Sequence, residues 1–226
     1  MGNISIILGK SGSGKSTSIK TLNPDESVVV NVLKKRLPFK GSSSIFNEEK
    51  ENLIGIDTYD ALISFIQHVD ANMPNIKTLV VDDSIYVMRK EFFKRAKEVG
   101  YTKFTELAQH FQQIIQTCEN ARDNLNVFLI LHSEDVVSDK TLTGYKVATV
   151  GTMIDNQYNP VEVVPIVLYA EIRYDNNGKP SYGFYTHSIK VGSTQIPAKT
   201  PEGMFKDDYI PNDLGAVVKA IDEYYK

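Results

Sequence analysis

Gly9-Lys10-Ser11-Gly12-Ser13-Gly14-Lys15-Ser16 is the stretch on which the reading of the fold turns. It fits G-x-x-x-x-G-K-[ST] at every fixed position, and it lies between the apolar run Ile4 to Leu8 and a segment with helical spacing from Ser16 to about Thr21. A strand, a glycine-rich loop and a helix start are the context in which this pattern cradles phosphates. Glycines at 9, 12 and 14 let the backbone wrap closely and turn its N–H groups inward, and the helix N-terminus adds partial positive charge. Lys15 then reaches the β and γ phosphates. Ser16 ligates Mg²⁺ through its hydroxyl, with Thr17 as the alternative, and Lys10, Ser11 and Ser13 complete the loop. A glycine-rich turn with an incidental lysine is the competing account, disfavoured because the motif and its flanks agree.

Such a cradle needs a further carboxylate, at the end of a neighbouring buried strand, to orient the metal. Lys77-Thr78-Leu79-Val80-Val81-Asp82-Asp83 supplies it. Asp82 is read as the second Mg²⁺-shell residue. Asp83 either polarises the attacking water or caps the helix that follows. His132 follows the strand Val127 to Leu131, and in a parallel sheet that end faces the ligand crevice. It either senses the γ phosphate or is an ordinary loop histidine. Lys15, Asp82, Asp83 and His132 are therefore the catalytic candidates, Ser16 and Asp82 the metal ligands, and ATP with Mg²⁺ the implied cofactors. No His/Cys spacing suggests zinc.

Periodicity and punctuation order the rest of the chain. Ser27 to Leu33 is a Val-rich strand, a Gly-Ser loop occupies 41 to 44, and a short strand near Leu53 to Ile56 leads through an Asp57 or Thr58 cap into a helix to about Val69. Helices are predicted from Ile85 to Val99 and from Thr102 to about Arg122. In the second, Phe104, Leu107, Ala108, Phe111, Ile114, Ile115 and Cys118 make one buried face. Val163 to Tyr174 and Ser181 to Val191 flank Asp175-Asn176-Asn177-Gly178, a hairpin signal, and a last helix runs to Tyr225. The expectation is one α/β domain over residues 1–226: a mostly parallel sheet flanked by helices, extended by a C-terminal antiparallel hairpin.

Length and composition agree with this. At roughly 150 residues per domain, 226 residues with 42% apolar and 23% charged content make a globular chain with a sizeable core. The longest apolar stretches, such as Val127 to Leu131 and Val163 to Ala170, are far short of the roughly 20 residues a membrane helix needs. One cysteine excludes an internal disulfide, no secretory leader is visible, and Gly2 fits a myristoylation site only superficially, so the expected location is the cytoplasm. The net charge of −3 is uneven. Residues 86 to 103 carry Arg89, Lys90, Lys94, Arg95, Lys97 and Lys103 against two acids, and residues 34 to 40 carry Lys34, Lys35, Arg36 and Lys40. Such patches either attract a polyanion locally or are simply solvated.

The blocks GKSGSGKST at 9–17, VVVNVLKKRLPF at 28–39, LVVDDSIYVM at 79–88, YTKFTELAQHF at 101–111, FLILHSE at 128–134, and AKTPEGMF and IPNDL towards the end resemble a known group. This is the phage-encoded P-loop ATPases with a minimal RecA-like core, AAA-type nucleotide-binding proteins related to Sak-type single-strand annealing proteins. The resemblance implies a RecA-like ATPase that assembles subunit to subunit, as a ring or filament, and handles single-stranded DNA in phage recombination or replication in the host cytoplasm. It places Lys15, Ser16 and Asp82 at nucleotide and metal positions and His132 at a sensor position. It puts a mobile DNA-binding loop at 133 to 152, with Lys140 and Lys146, and lets Lys199 reach a neighbouring subunit's phosphates. The chain departs from the pattern in one respect: RecA-type enzymes usually carry a catalytic glutamate after the second strand, but Asn31-Val32-Leu33-Lys34-Lys35 holds no carboxylate. Either Asp83 takes that role or hydrolysis is slow.

Two functions follow. The first is an ATPase acting on single-stranded DNA, with Arg89, Lys90, Lys94, Arg95, Lys97, Lys140 and Lys146 on phosphates and Phe39, Tyr101 or Phe104 as platforms for bases. The second is a nucleotide-gated adaptor or loader that recruits a single-strand-binding, helicase or nuclease protein and touches DNA little, which the acidic remainder of the chain favours. A small-molecule kinase is disfavoured, because no convincing basic lid segment stands opposite the phosphate loop.

Overall fold

Side chains in the first strand, β1 (Asn3–Gly9), alternate between two apolar clusters. Ile4, Ile6 and Leu8 join one, and Ile7 joins the other. The same division recurs in β2 (Ser27–Asn31), β4 (Thr78–Asp82) and β5 (Asn126–Ser138), where Val28, Val30, Leu79, Val81, Val127, Leu129 and Leu131 share the first cluster and Val29, Val80, Phe128 and Ile130 the second. A sheet covered on both faces needs such continuous apolar runs, and it is why the short strands were legible.

The computed structural model describes residues 2–150 and 158–226. Its central sheet runs β11-β8-β7-β1-β5-β4-β2-β3, where β3 is Leu53–Ile54, β7 Ile166–Tyr174, β8 Pro180–Tyr185 and β11 Tyr209–Pro211. The six strands from β7 to β3 are parallel, and β8 and β11 add on antiparallel. The fold is therefore the expected α/β arrangement: a mostly parallel sheet between helices, with a C-terminal antiparallel hairpin. Helices α2 (Tyr59–Asn72), α3 (Ile85–Lys94) and α4 (Thr102–Glu119) cover one face. The turn Ser16–Thr21 and the last helix, Leu214–Tyr224, cover the other. On α4 the predicted face holds, with Leu107, Phe111, Ile114, Ile115 and Cys118 buried and Phe104 and Ala108 at its margin.

Several expectations are corrected. The helix expected over Ser16–Thr21 keeps its bounds, ending as the chain passes at Leu22 into extended backbone ahead of Asn23-Pro24, but it is of 3₁₀ type. The Gly-Ser segment at 41–44 contains a single helical turn, α1 (Ser42–Ile45), and α3 stops at Lys94, short of Val99. The largest correction concerns β5. His132 does not close it: the strand continues to Ser138 and pairs antiparallel with β6 (Thr141–Val147). Asp139 and Lys140 form the two-residue turn, both with left-handed φ (49° and 65°), as a tight hairpin linking right-twisted strands requires. Residues 133–147, expected as a mobile loop, thus form a β-ribbon that leaves the sheet, while 151 and 152 lie outside the described residues. The sequence concealed this because only the first six residues of β5 are fully buried, so the apolar run ends halfway along the strand.

Truncating Leu129, fully buried in the centre of the sheet, to Ala is expected to cost about 2–5 kcal/mol in a urea-unfolding measurement. Val137→Thr on the exposed ribbon should stay within about 0.5 kcal/mol of wild type. Equal losses at both positions would mean that the ribbon is part of the cooperative core.

Candidate functional site

The parallel register brings the C-terminal strand ends to one edge. Gly9 of β1 stands opposite His132 of β5 and Ala170 of β7, and Asn31 of β2 stands opposite Asp82 of β4. β5 lies between the loop-bearing strand and the carboxylate strand, which sets His132 between the two halves of the site.

The loop after β1 is held open by conformation. Gly12 and Gly14 have φ of 81° and 93°, a region that L side chains rarely occupy. A Cβ on Gly14 would also lie 2.9 Å from Tyr182 and 3.2 Å from Asn212, whose side-chain amide donates to the Gly14 carbonyl at 3.2 Å. Asn212 thus supports the loop from the start of the last helix. The 3₁₀ geometry of the six-residue Ser16–Thr21 helix leaves little helix dipole to draw on.

Lys15 is 5% exposed and its ammonium donates to the carbonyls of Gly9 (2.8 Å) and Lys10 (2.7 Å). Burial lowers its pKa to about 8, against the pull of Asp83 and Asp82. Facing it, Ser16 Oγ donates to Asp82 Oδ1 at 2.6 Å. Asp82 is fully buried, and desolvation together with the neighbouring Asp83 charge raises its pKa to about 6. Among the described residues, three buried polar atoms here, Asp82 Oδ2, Ser13 Oγ and Asp83 Oδ2, have no hydrogen-bond partner, and of these Asp83 Oδ2 is ion-paired with Lys35. Unsatisfied buried oxygens are costly, and a carboxylate oxygen beside a serine hydroxyl is a fitting donor set for Mg²⁺. Among the described residues no cluster of three His, Cys, Asp or Glu could hold a metal alone. Mg²⁺ here would depend on phosphate oxygens, as it commonly does.

Asp83 is not a cap. Its backbone is left-handed (φ 57°), Ser84 occupies the cap position of α3, and the Asp83 carboxylate lies between the His132 ring and the Lys35 ammonium. His132 Nε2 is 2.9 Å from Oδ1, and the Lys35 ammonium pairs with Oδ2. Burial alone would raise the Asp83 pKa, but the bonds from His132 and Lys35 outweigh it and hold the group below the usual carboxylate range. His132 also meets the Tyr86 ring edge-on at 6.0 Å. Sequence reasoning counted Lys35 only as part of a basic run. Its placement depends on Asn31, whose side chain donates to the Lys35 carbonyl at 2.5 Å and accepts from the Lys35 amide at 3.3 Å, turning the chain back over the strand ends.

Lys10, also of the loop, pairs with Asp135 on the ribbon at 2.8 Å and lies 5.0 Å above the Tyr145 ring, and the Asp135 hydrogen bond raises its pKa. Ser11 is exposed, and Thr17 is partly buried while Ser16 makes the bond to Asp82.

The residues expected on DNA are scattered and largely engaged. Arg95 is enclosed by Glu91, Glu98 and Glu106 and so does not stand free. Lys90 donates to the Val32 carbonyl and to Asp57, Arg89 to the Ala148 carbonyl, and Lys146 pairs with Glu134. Lys94 and Lys97 are exposed near the end of α3, and Lys140 is exposed at the ribbon turn. Lys199 does not face the phosphate loop. Its backbone pairs with Val167, well before Ala170 on β7, and its ammonium donates to the Glu162 carbonyl at 2.7 Å. Within its own chain it therefore lies away from the loop, and the contact expected across a subunit boundary concerns a neighbouring copy.

A family model described as an AAA domain matches residues 1–201. The chain belongs to that AAA domain family. No curated protein matches it. Membership and geometry agree on the coarse function, nucleotide binding by a P-loop ATPase domain, with the motif, Ser16 and Asp82 meeting at one edge of the sheet. No helix among the described residues is long and apolar enough to cross a membrane.

Asp82→Asn should stabilise the metal-free protein at pH 7 by on the order of 1–3 kcal/mol. A carboxyl whose folded pKa lies above its unfolded value gives stability that is complete below 3.8 and is lost as pH rises through about 6. Melting curves in EDTA between pH 4 and 7 should therefore fall less steeply for the variant, and parallel curves would refute the assignment.

Proposed function

We propose that this chain binds ATP with Mg²⁺, hydrolyses it slowly, and couples the cycle to single-stranded DNA as part of an oligomer in phage recombination or replication, in the host cytoplasm. The observation that carries the nucleotide part is two buried oxygens without a hydrogen-bond partner among the described residues: Asp82 Oδ2, on the carboxylate that accepts from the Ser16 hydroxyl, and Ser13 Oγ of the loop. They are polar groups held dry in a place where a phosphate and its metal would satisfy them.

In this reading Lys15 exchanges its two backbone carbonyls for phosphate oxygens, and Ser16 and Asp82 hold the metal. Mg²⁺ supplies charge neutralisation and polarises the phosphoryl oxygens when bound. Asp83 is the carboxylate nearest to a general-base role, and His132 orients it. Slow turnover is expected because the bonds from His132 and the Lys35 ammonium hold the Asp83 carboxyl below its usual range, which makes it a weak base.

Lys94, Lys97 and Lys140 support the DNA part, since they are exposed and can neutralise phosphates, and the sequence resemblance is its main ground. The enclosed Arg95 and the paired Lys90 and Lys146 favour the second reading, a nucleotide-gated adaptor that recruits a replication or recombination protein.

ATP hydrolysis by wild type and Lys15→Ala, with and without single-stranded DNA at two salt concentrations, separates these readings. The DNA-coupled reading expects stimulation that needs Lys15 and fades with salt. Replacing Lys94, Lys97 and Lys140 by Gln should then lower the salt slope of DNA binding by about 2. Flat, slow hydrolysis in every condition supports the adaptor. Lys15→Ala should abolish nucleotide binding with the fold retained, and turnover equal to wild type would sink the ATPase reading altogether.

A further inference from the structure

Lys35 is the cation in the site that neither the motif nor the family match assigns. Its ammonium pairs with Asp83, and Asp83 adjoins Asp82, the carboxylate to which the Ser16 hydroxyl is bonded. Only two contacts and one peptide unit separate Lys35 from the phosphate loop. Its backbone is fixed by the two hydrogen bonds to Asn31, and Lys34 before it takes the left-handed turn (φ 54°) that directs Lys35 over the strand ends.

The side chain nonetheless has room to move. It is 47% exposed, and the residue borders a cleft of about 690 Å³ between the 34–37 segment, α1 and the 46–49 segment. Lys15 differs, being nearly enclosed and already satisfied by two carbonyls. Burial is the main cause of the lowered Lys15 pKa and the Lys35 charge adds to it, so the two ammonium groups lie within electrostatic reach of each other.

From this geometry we infer that Lys35 is a triphosphate-contacting residue: when a nucleoside triphosphate occupies the loop, its ammonium leaves Asp83 for the terminal phosphate. The inference rests on the nucleotide reading above and adds a residue that discriminates triphosphate from diphosphate. An ammonium bound to a phosphate oxygen gains about as much as one bound to a carboxylate, so the exchange is close to balanced. The several negative charges of a triphosphate tip it, and a diphosphate, lacking the terminal group, does not. Departure of Lys35 leaves Asp83 with His132 alone, so one movement both grips the terminal phosphate and loosens the hold on the carboxylate.

The test is binding, measured by calorimetry with Mg²⁺ and either ATPγS or ADP, for wild type, Lys35→Met and Lys35→Arg. Lys35→Met should weaken ATPγS on the order of tenfold, or about 1.4 kcal/mol, and leave ADP within about twofold. Lys35→Arg should restore most of the discrimination. Removing Lys35 also leaves Asp83 short of a partner, so Lys35→Met with Asp83→Asn serves as the charge-matched variant, compared with Asp83→Asn alone. The same selective loss is expected there. Equal effects on both nucleotides, or none on either, would overturn the role of Lys35. Failure of the wild type to bind either nucleotide would instead overturn the nucleotide reading, and this inference with it.

Discussion

Two adjacent carboxylates, Asp82 and Asp83, are held in a nearly dry crevice at the end of β4, and the site is organised around making that tolerable. Adjacent buried charges of one sign repel, burial disfavours the charged form of each, and the two carboxylates are held in different ways. Asp82 keeps one hydrogen bond, from Ser16, and is pushed towards protonation. Asp83 is bonded to His132 and paired with the Lys35 ammonium, and it is pushed the other way. Neighbours in sequence, they are held in opposite states: one is pushed towards protonation and the other is held ionised.

The supports for this pair come from across the chain. Ser16 follows the first strand, Lys35 the second, and His132 lies within the fifth. The parallel register is what aligns them, because it sets Gly9 against His132 and Asn31 against Asp82. The phosphate loop is tied outward as well. Asn212 holds Gly14 from the C-terminal side, and Lys10 bonds Asp135 on the β5–β6 ribbon. The loop thereby touches an arm that leaves the body of the molecule. Tyr145 of the ribbon stacks on Tyr169 of β7 (4.9 Å between centroids), which anchors the arm at its base.

Charge counted along the sequence proved a poor guide to charge available on the surface. The run from 86 to 103 has a net excess of positive charge, yet Arg95 is enclosed by three carboxylates, of which Glu106 lies beyond the run on α4. Lys90 is likewise matched by Asp57, which precedes α2. Helix packing carries acids from one segment onto the bases of another, and no window along the chain reveals that. The same limit hid Lys35, whose partner is 48 positions away in number and adjacent in space.

By itself the sequence determined the local matters: the glycines that permit a phosphate-binding turn, the apolar runs that become strands buried on both faces, the helical stripe on α4, and the Asp-Asn-Asn-Gly hairpin. Each depends on backbone sterics or on a short hydrophobic period, both complete within a dozen residues. Tertiary structure alone decided that β5 continues into a ribbon, that Ser16–Thr21 is a short 3₁₀ turn, that Lys199 bonds within its own chain, and that Asp83 belongs to His132 and Lys35 and not to a helix cap. Those outcomes depend on strand register and on which distant charge can approach closely enough to offset desolvation. That is a property of the assembled sheet, and no segment carries it alone.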